Sequence, residues 1–182
     1  MTPRRIVLYL LLALAIVTPI RLFVAQPFLV AGRSMTPTFE PGDYLVIDEL
    51  SYRLGEPARG DIIVFRYPLD PAQVFIKRIV GLPGETVQVG RGRVTVVSPD
   101  KTAIAVLDEP YRGDDSGRDR ISTTTLHDDE YFVLGDDRDA STDSRSWGPL
   151  QSRLIIGRTV ARLWPLSRTS IMPGAHEFAP LR

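Results

Sequence analysis

The sequence predicts a mainly β protein, an antiparallel β-sheet domain over residues 25–182 carried by one N-terminal transmembrane helix. Three observations predict it. Residues 6–20 (IVLYLLLALAIVTPI) contain no charge. Beyond residue 40 the chain is a succession of short Val-, Ile-, Phe- and Tyr-rich runs broken by Gly, Pro and Asp, the pattern of strands joined by turns. No long segment of helical period follows the apolar start.

Taken in order, residues 1–5 hold Arg4 and Arg5, and the positive-inside rule places them in the cytoplasm. Residues 6–24 form the anchor. The uncharged core is shorter than the roughly 20 residues a bilayer needs, but Arg21 can snorkel to the far interface and extend it. A cleaved signal peptide has a similar start; no small-x-small site follows Arg21, so the segment is read as uncleaved. Pro19 and Pro27 end the helix by removing backbone donors, and PFLVAGRSM then runs extended along the outer membrane surface to Ser34. Strands follow at 44–50, 61–68, 74–82 and 86–97, the last split by a hairpin at Gly90-Arg91-Gly92, where glycine tolerates positive φ. Residues 98–129 are polar and turn-rich, an exposed excursion or small subdomain. Strands at 130–135 and 154–164 complete the domain.

Composition narrows the function. Lys plus Arg and Asp plus Glu balance at 22 each, which gives no basic excess for nucleic acid. Cysteine is absent, so disulfides and thiolate metal sites are excluded. Of the 22 basic residues only Lys77 and Lys101 are lysines. Arginine stays protonated, so a basic side chain that accepts a proton has to be a lysine. Alternation in VFIKRIVGL puts Phe75, Lys77 and Ile79 on one face of a strand. An ammonium between Phe and Ile is partly desolvated, which favours the neutral amine. Ser34, in GRSMTPT, is the candidate nucleophile for that amine. The two are forty-three positions apart, with Pro37 where a Ser-x-x-Lys motif needs lysine, so only tertiary folding can join them.

The block GDDRDASTDSRSWGP at 135–149 spaces oxygen side chains like a calcium loop, but Thr142 and Gly148 stand where an EF-hand needs glycine and glutamate. We therefore expect no metal and no other cofactor. The block serves better as a polar shell, with Ser141 hydrogen-bonding the lysine head and Asp143 pairing with Arg145. His127 has acidic neighbours and His176 lies near the C-terminus; both read as surface residues.

In order along the chain, the anchor, RLFVAQPF, SMTPT, PGDYLVID, RGDIIVF, FIKRIVGLPGE and GDDRDASTDSRSWGPL resemble bacterial type I signal peptidase, the membrane-anchored Ser/Lys endopeptidase of protein secretion. The resemblance covers most of the chain. It implies Ser34 as nucleophile, Lys77 as general base and Ser141 as the group that orients the amine. Arg78, Asp136, Asp143 and Arg145 match the family's supporting polar residues, and Phe28, Val30, Phe39 and Ile76 match positions lining its substrate pockets. The implied substrates are exported preproteins cut after a small-x-small motif at the outer face of a bilayer, with the domain exoplasmic and no nucleic-acid partner. Two positions depart from the family pattern. Gly32 replaces a serine whose hydroxyl assists the oxyanion in some members, and Asp137 replaces a usual asparagine. Two other readings stand beside this one: a self-cleaving-repressor-type Ser/Lys protease, which the anchor disfavours, and a non-catalytic anchored β-domain that binds exported chains.

Overall fold

The computed structural model describes residues 3–9, 11–12, 15, 25–112 and 121–179. Residues 3–9, 11–12 and 15 are helical and exposed. The anchor expected over 6–24 falls largely outside the described residues, and among those described no helix is long and apolar enough to cross a membrane.

From residue 25 onward the protein is β. The strands are β1 (Ala25–Leu29), β2 (Tyr44–Asp48), β3 (Ile62–Tyr67), β4 (Asp70–Gly81), β5 (Thr86–Gly90), β6 (Arg93–Val97), β7 (Ile104–Val106), β8 (Ser122–Thr125), β9 (Glu130–Leu134), β10 (Leu150–Gln151), β11 (Ile155–Trp164) and β12 (Ser170–Ile171), with one-turn helices α1 (Ser51–Leu54) and α2 (Ser144–Trp147). They make two antiparallel sheets. The larger runs β1-β2-β11-β3-β4-β9-β10, with β12 on the far half of β11; the smaller runs β7-β6-β5-β8.

Burial on both faces explains why the central strands read as unbroken apolar runs. In β3, Ile62 and Val64 point into a cluster with Met35, Phe39, Leu45 and Ile76, while Ile63 and Phe65 point into another with Ile79, Tyr131, Val133 and Leu150. A third cluster joins the sheets, with Val87, Val89, Val94 and Val96 of the smaller sheet against Val80, Phe132 and Leu134 of the larger. The hairpin between β5 and β6 turns at Arg91 and Gly92, both at positive φ (52° and 71°), the twist a two-residue connection requires.

The 98–129 segment, expected to be an exposed excursion or a small subdomain, contributes to the smaller sheet. It supplies β7 and β8, the outer strands of the smaller sheet, and its residues 113–120 lie outside the described residues. Ile104–Val106 is only three residues long and Ser122–Thr125 is wholly polar, and they form strands by pairing with β6 and β5.

Candidate active site

Ser34 sits in the turn that follows β1. Val30 N–H donates to the Asp43 carbonyl at 3.0 Å and receives the Gly42 N–H on its own carbonyl at 2.8 Å, which ties the end of β1 to the start of β2. The chain then coils, with Thr36 N–H on the Arg33 carbonyl and Phe39 N–H on that of Met35. Met35 and Phe39 are fully buried. Burial of such side chains contributes roughly 1.5–3 kcal/mol each, against about 1 kcal/mol for one turn hydrogen bond, so apolar packing is what fixes the turn. Ser34 lies between exposed Arg33 and buried Met35, half-buried at the lip of a cleft.

Lys77 reaches the same place from β4, where it pairs with Ile63 of β3. It is 4% exposed. Its Nζ lies 2.8 Å from Ser34 Oγ, donates to the Ile76 carbonyl at 2.9 Å and stands 5.3 Å from the centre of the Phe75 ring. Burial lowers its pKa from 10.5 to about 8, opposed by the Asp143 and Asp136 carboxylates, which favour the charged form. A hydroxyl and a nearly half-neutral amine at weakly alkaline pH are therefore in hydrogen-bond contact.

The neighbouring Arg78 points away from the cleft and is fully buried. Its Nε and Nη2 donate to the two oxygens of Asp136 at 2.9 and 2.7 Å, and its Nη1 donates to the carbonyls of Gly60 and Gly174 at 3.2 and 2.7 Å. Thr38 Oγ1 adds a 2.5 Å bond to Asp136 Oδ2. Asp143, also fully buried, accepts from the Gly135 N–H at 3.1 Å, from Arg145 Nε at 2.8 Å and from Arg145 N–H at the start of α2. The four supporting residues named from the sequence thus form two ion pairs that hold the 135–137 backbone from both sides.

That backbone meets Ser34 directly. Asp137 N–H donates to the Ser34 carbonyl at 3.1 Å. Gly135 has no room for a side chain, since a Cβ would collide with Ser141 and lie 2.5 Å from the Ser34 carbonyl oxygen. Ser141 Oγ is buried beside Gly135 and makes no hydrogen bond among the described residues; it is near the pair without bonding the Lys77 amine.

The cleft has a volume of about 290 Å³; Phe28 and Ala31 line one side, Val74 and Ile76 the other, and Ser34 and Lys77 also line it. Of the residues expected to line pockets, Phe28 and Ile76 are on its wall. Val30 and Phe39 are not; they are 2% and 0% exposed in the core behind the Ser34 turn, because the turn directs its apolar side inward. His127 is exposed, and His176 Nε2 lies 2.9 Å from the Asp108 carbonyl, so neither histidine joins Ser34. Among the described residues no group of three His, Asp or Glu side chains is arranged to hold a metal.

Sequence reasoning did not reach Glu109 and Tyr111. The Tyr111 ring lies 3.7 Å from the Arg78 guanidinium carbon, and Glu109 pairs with Arg138. They come from a polar stretch with no periodic signal, thirty-odd residues from Arg78, so nothing local marks them.

Comparisons with known proteins place the chain in a family. The family described as "Signal peptidase, peptidase S26" matches residues 4–164. A probable signal peptidase I of Synechocystis is 37% identical over 180 residues, covering 95% of this chain and 88% of the relative. Signal peptidase I of Leptolyngbya laminosa is 38% identical over 166 residues, covering 86% of this chain and 77% of the relative. A solved signal peptidase I from Enterococcus faecalis superposes with a TM-score of 0.48 at 29% identity, over 57% of this chain and 97% of its own.

Proposed function

The chain belongs to the signal peptidase family, peptidase S26, and is a serine endopeptidase; from that premise we propose that it removes signal peptides from exported preproteins with Ser34 as nucleophile and Lys77 as general base. The observation that carries the reading is the 2.8 Å contact between Lys77 Nζ and Ser34 Oγ, made by an amine whose pKa burial has lowered to about 8.

In the neutral state the Nζ lone pair accepts the Ser34 hydroxyl proton as Oγ attacks the scissile carbonyl. The Ile76 carbonyl keeps one amine proton and so aims the lone pair. The oxyanion forms beside the Ser34 N–H, which has no hydrogen-bond partner among the described residues. Gly32 contributes no hydroxyl there, so this site begins with one donor fewer than a serine would give it. Lys77 then returns the proton to the leaving amine. Water, deprotonated by the same lysine, hydrolyses the ester and frees Ser34. Ser141, across Gly135, completes the amine's surroundings once the amine turns toward it.

An extended substrate fits the cleft as a strand between the 28–32 and 74–76 segments, with main-chain bonds supplying affinity and the confined walls selecting small side chains of the Ala-x-Ala type. The apolar N-terminal segment supports a single-pass anchor with the catalytic domain on the exoplasmic side. Tethering there raises the effective concentration of membrane-held preproteins.

Mass spectrometry of a purified preprotein incubated in detergent with wild type, Ser34→Ala and Lys77→Arg tests the reading. Wild type is expected to release the signal peptide at one small-x-small site, and both variants to release none. Cleavage by a folded Ser34→Ala or Lys77→Arg protein at the wild-type site would overturn it.

A further inference from the structure

The Arg78–Asp136 pair is completed from outside the larger sheet. The turn that follows β7 brings the Tyr111 ring over the buried guanidinium, 3.7 Å from ring centre to Arg78 Cζ, within the range of a cation–π contact. The tyrosine is itself held. Its hydroxyl donates to Glu109 Oε1 at 2.9 Å, and the rings of His176 and Phe178 meet it edge-on at 5.5 and 6.3 Å. Burial and the Glu109 charge push the phenol above its ordinary pKa, so the ring stays neutral and the hydroxyl stays a donor.

Glu109 extends the hold. It pairs with Arg138, whose Nε donates to the Gly135 carbonyl at 3.0 Å. Two arms therefore run from 109–111 to the 135–137 backbone: Tyr111 through Arg78 to Asp136, and Glu109 through Arg138 to Gly135. That backbone carries the N–H that binds the Ser34 carbonyl, and Arg78 is the chain neighbour of Lys77. A guanidinium has five donors in one plane; Asp136, Gly60 and Gly174 take donors in that plane, and a flat ring against the open face stops the plane from tilting.

We propose that Tyr111 is a positioning residue of the peptidase reaction, its ring fixing the Arg78 guanidinium on Asp136 and so the register between Ser34 and Lys77. The proposal rests on the Ser34–Lys77 reading above. It gives the turn that follows β7, the edge strand of the smaller sheet, a role in catalysis.

The test uses the full-length protein in detergent micelles with an internally quenched peptide bearing an Ala-x-Ala site. Tyr111→Leu removes the π face; Tyr111→Phe keeps it and loses only the hydroxyl. Displacements of an ångström at a reacting pair cost up to about a hundredfold, so Tyr111→Leu is expected to lower kcat by about tenfold or more with little change in KM. The alkaline-rising limb of its pH–kcat/KM profile is expected to move to higher pH. The charged groups facing Lys77 are Asp136 and Asp143, and an Asp136 less tightly matched by Arg78 favours the ammonium. Tyr111→Phe is expected to stay within about threefold of wild type in kcat, with the limb unmoved. Unfolding in urea establishes which variants are folded, and Tyr111→Met replaces Tyr111→Leu if the latter is not. Wild-type kcat and an unmoved limb in a folded Leu or Met variant would overturn the proposal. So would a Phe variant as impaired as the Leu variant. Ser34→Ala separates the two levels: if it still cleaves, the nucleophile assignment fails; if it is dead while Tyr111→Leu matches wild type, only the positioning role fails.

Discussion

Lys77→Met removes the buried amine and leaves an apolar side chain of similar length in its place, so it isolates what burying that charge costs. Folding moves the lysine pKa from 10.5 to about 8. At about 1.36 kcal/mol per pH unit, the charged form is disfavoured in the folded protein by about 3 kcal/mol. The folded lysine releases its proton before the unfolded one as pH rises. Wild type therefore gains stability between about pH 8 and 10.5, and below that window the full cost is present. Methionine has no such term. Its advantage over wild type contains this cost plus pH-independent terms for packing and for the lost bonds to Ser34 and the Ile76 carbonyl. Only the pH-dependent part is diagnostic. Linkage with these two pKa values gives a contribution of about 3 kcal/mol at pH 7 and about 2 kcal/mol at pH 9, so the Met-minus-wild-type difference should shrink by about 1.3 kcal/mol. Urea unfolding followed by tryptophan fluorescence at pH 7, 8 and 9 measures it. A difference flat across that range, or one that grows, would refute the claim that the structure depresses the lysine pKa.

Two further outcomes follow from the geometry around Ser34. Gly135→Ala puts a methyl against Ser141 and 2.5 Å from the Ser34 carbonyl oxygen; cleavage is expected to fall by about tenfold to a hundredfold, measured as kcat on the quenched peptide, and unchanged kcat would mean that the 135–137 backbone does not set the position of Ser34. Gly32→Ser works in the other direction: a Cβ there meets no atom within 4 Å, so the hydroxyl is accommodated and supplies the missing oxyanion donor. Since losing such a donor costs about 2.7–4 kcal/mol where an enzyme relies on it, kcat is expected to rise by up to about a hundredfold in a steady-state assay, and a fall would show that the Gly32 N–Cα geometry serves the site better than a donor does.

Much of the fold was legible because its signals are local. β2, β3, β4, β5, β6, β9 and β11 each coincide with an apolar run bounded by Gly, Pro or Asp. The flanking of Lys77 by Phe75 and Ile79 likewise announced a desolvated amine, and the structure finds it 4% exposed. What the sequence could not carry depends on partners far along the chain. β7 and β8 are strands only because β6 and β5 lie beside them. Val30 and Phe39 read as pocket residues from motif alignment but lie in the core, because the Ser34 turn is anchored by its apolar side. Tyr111 acquires meaning only from Arg78, and a tyrosine in YRGDDSGRD offers no hint of that contact.

In the proposed mechanism an uncharged Lys77 activates Ser34. The pH dependence of kcat/KM for the quenched Ala-x-Ala peptide, from pH 6 to 10 with the full-length protein in micelles, tests it most directly because kcat/KM reports ionisations of the free enzyme. A single rising limb is expected, about tenfold per pH unit at the acid end, that levels off around the lysine pKa of about 8. A profile flat from pH 6 upward, or one still climbing tenfold per unit at pH 10, would contradict it.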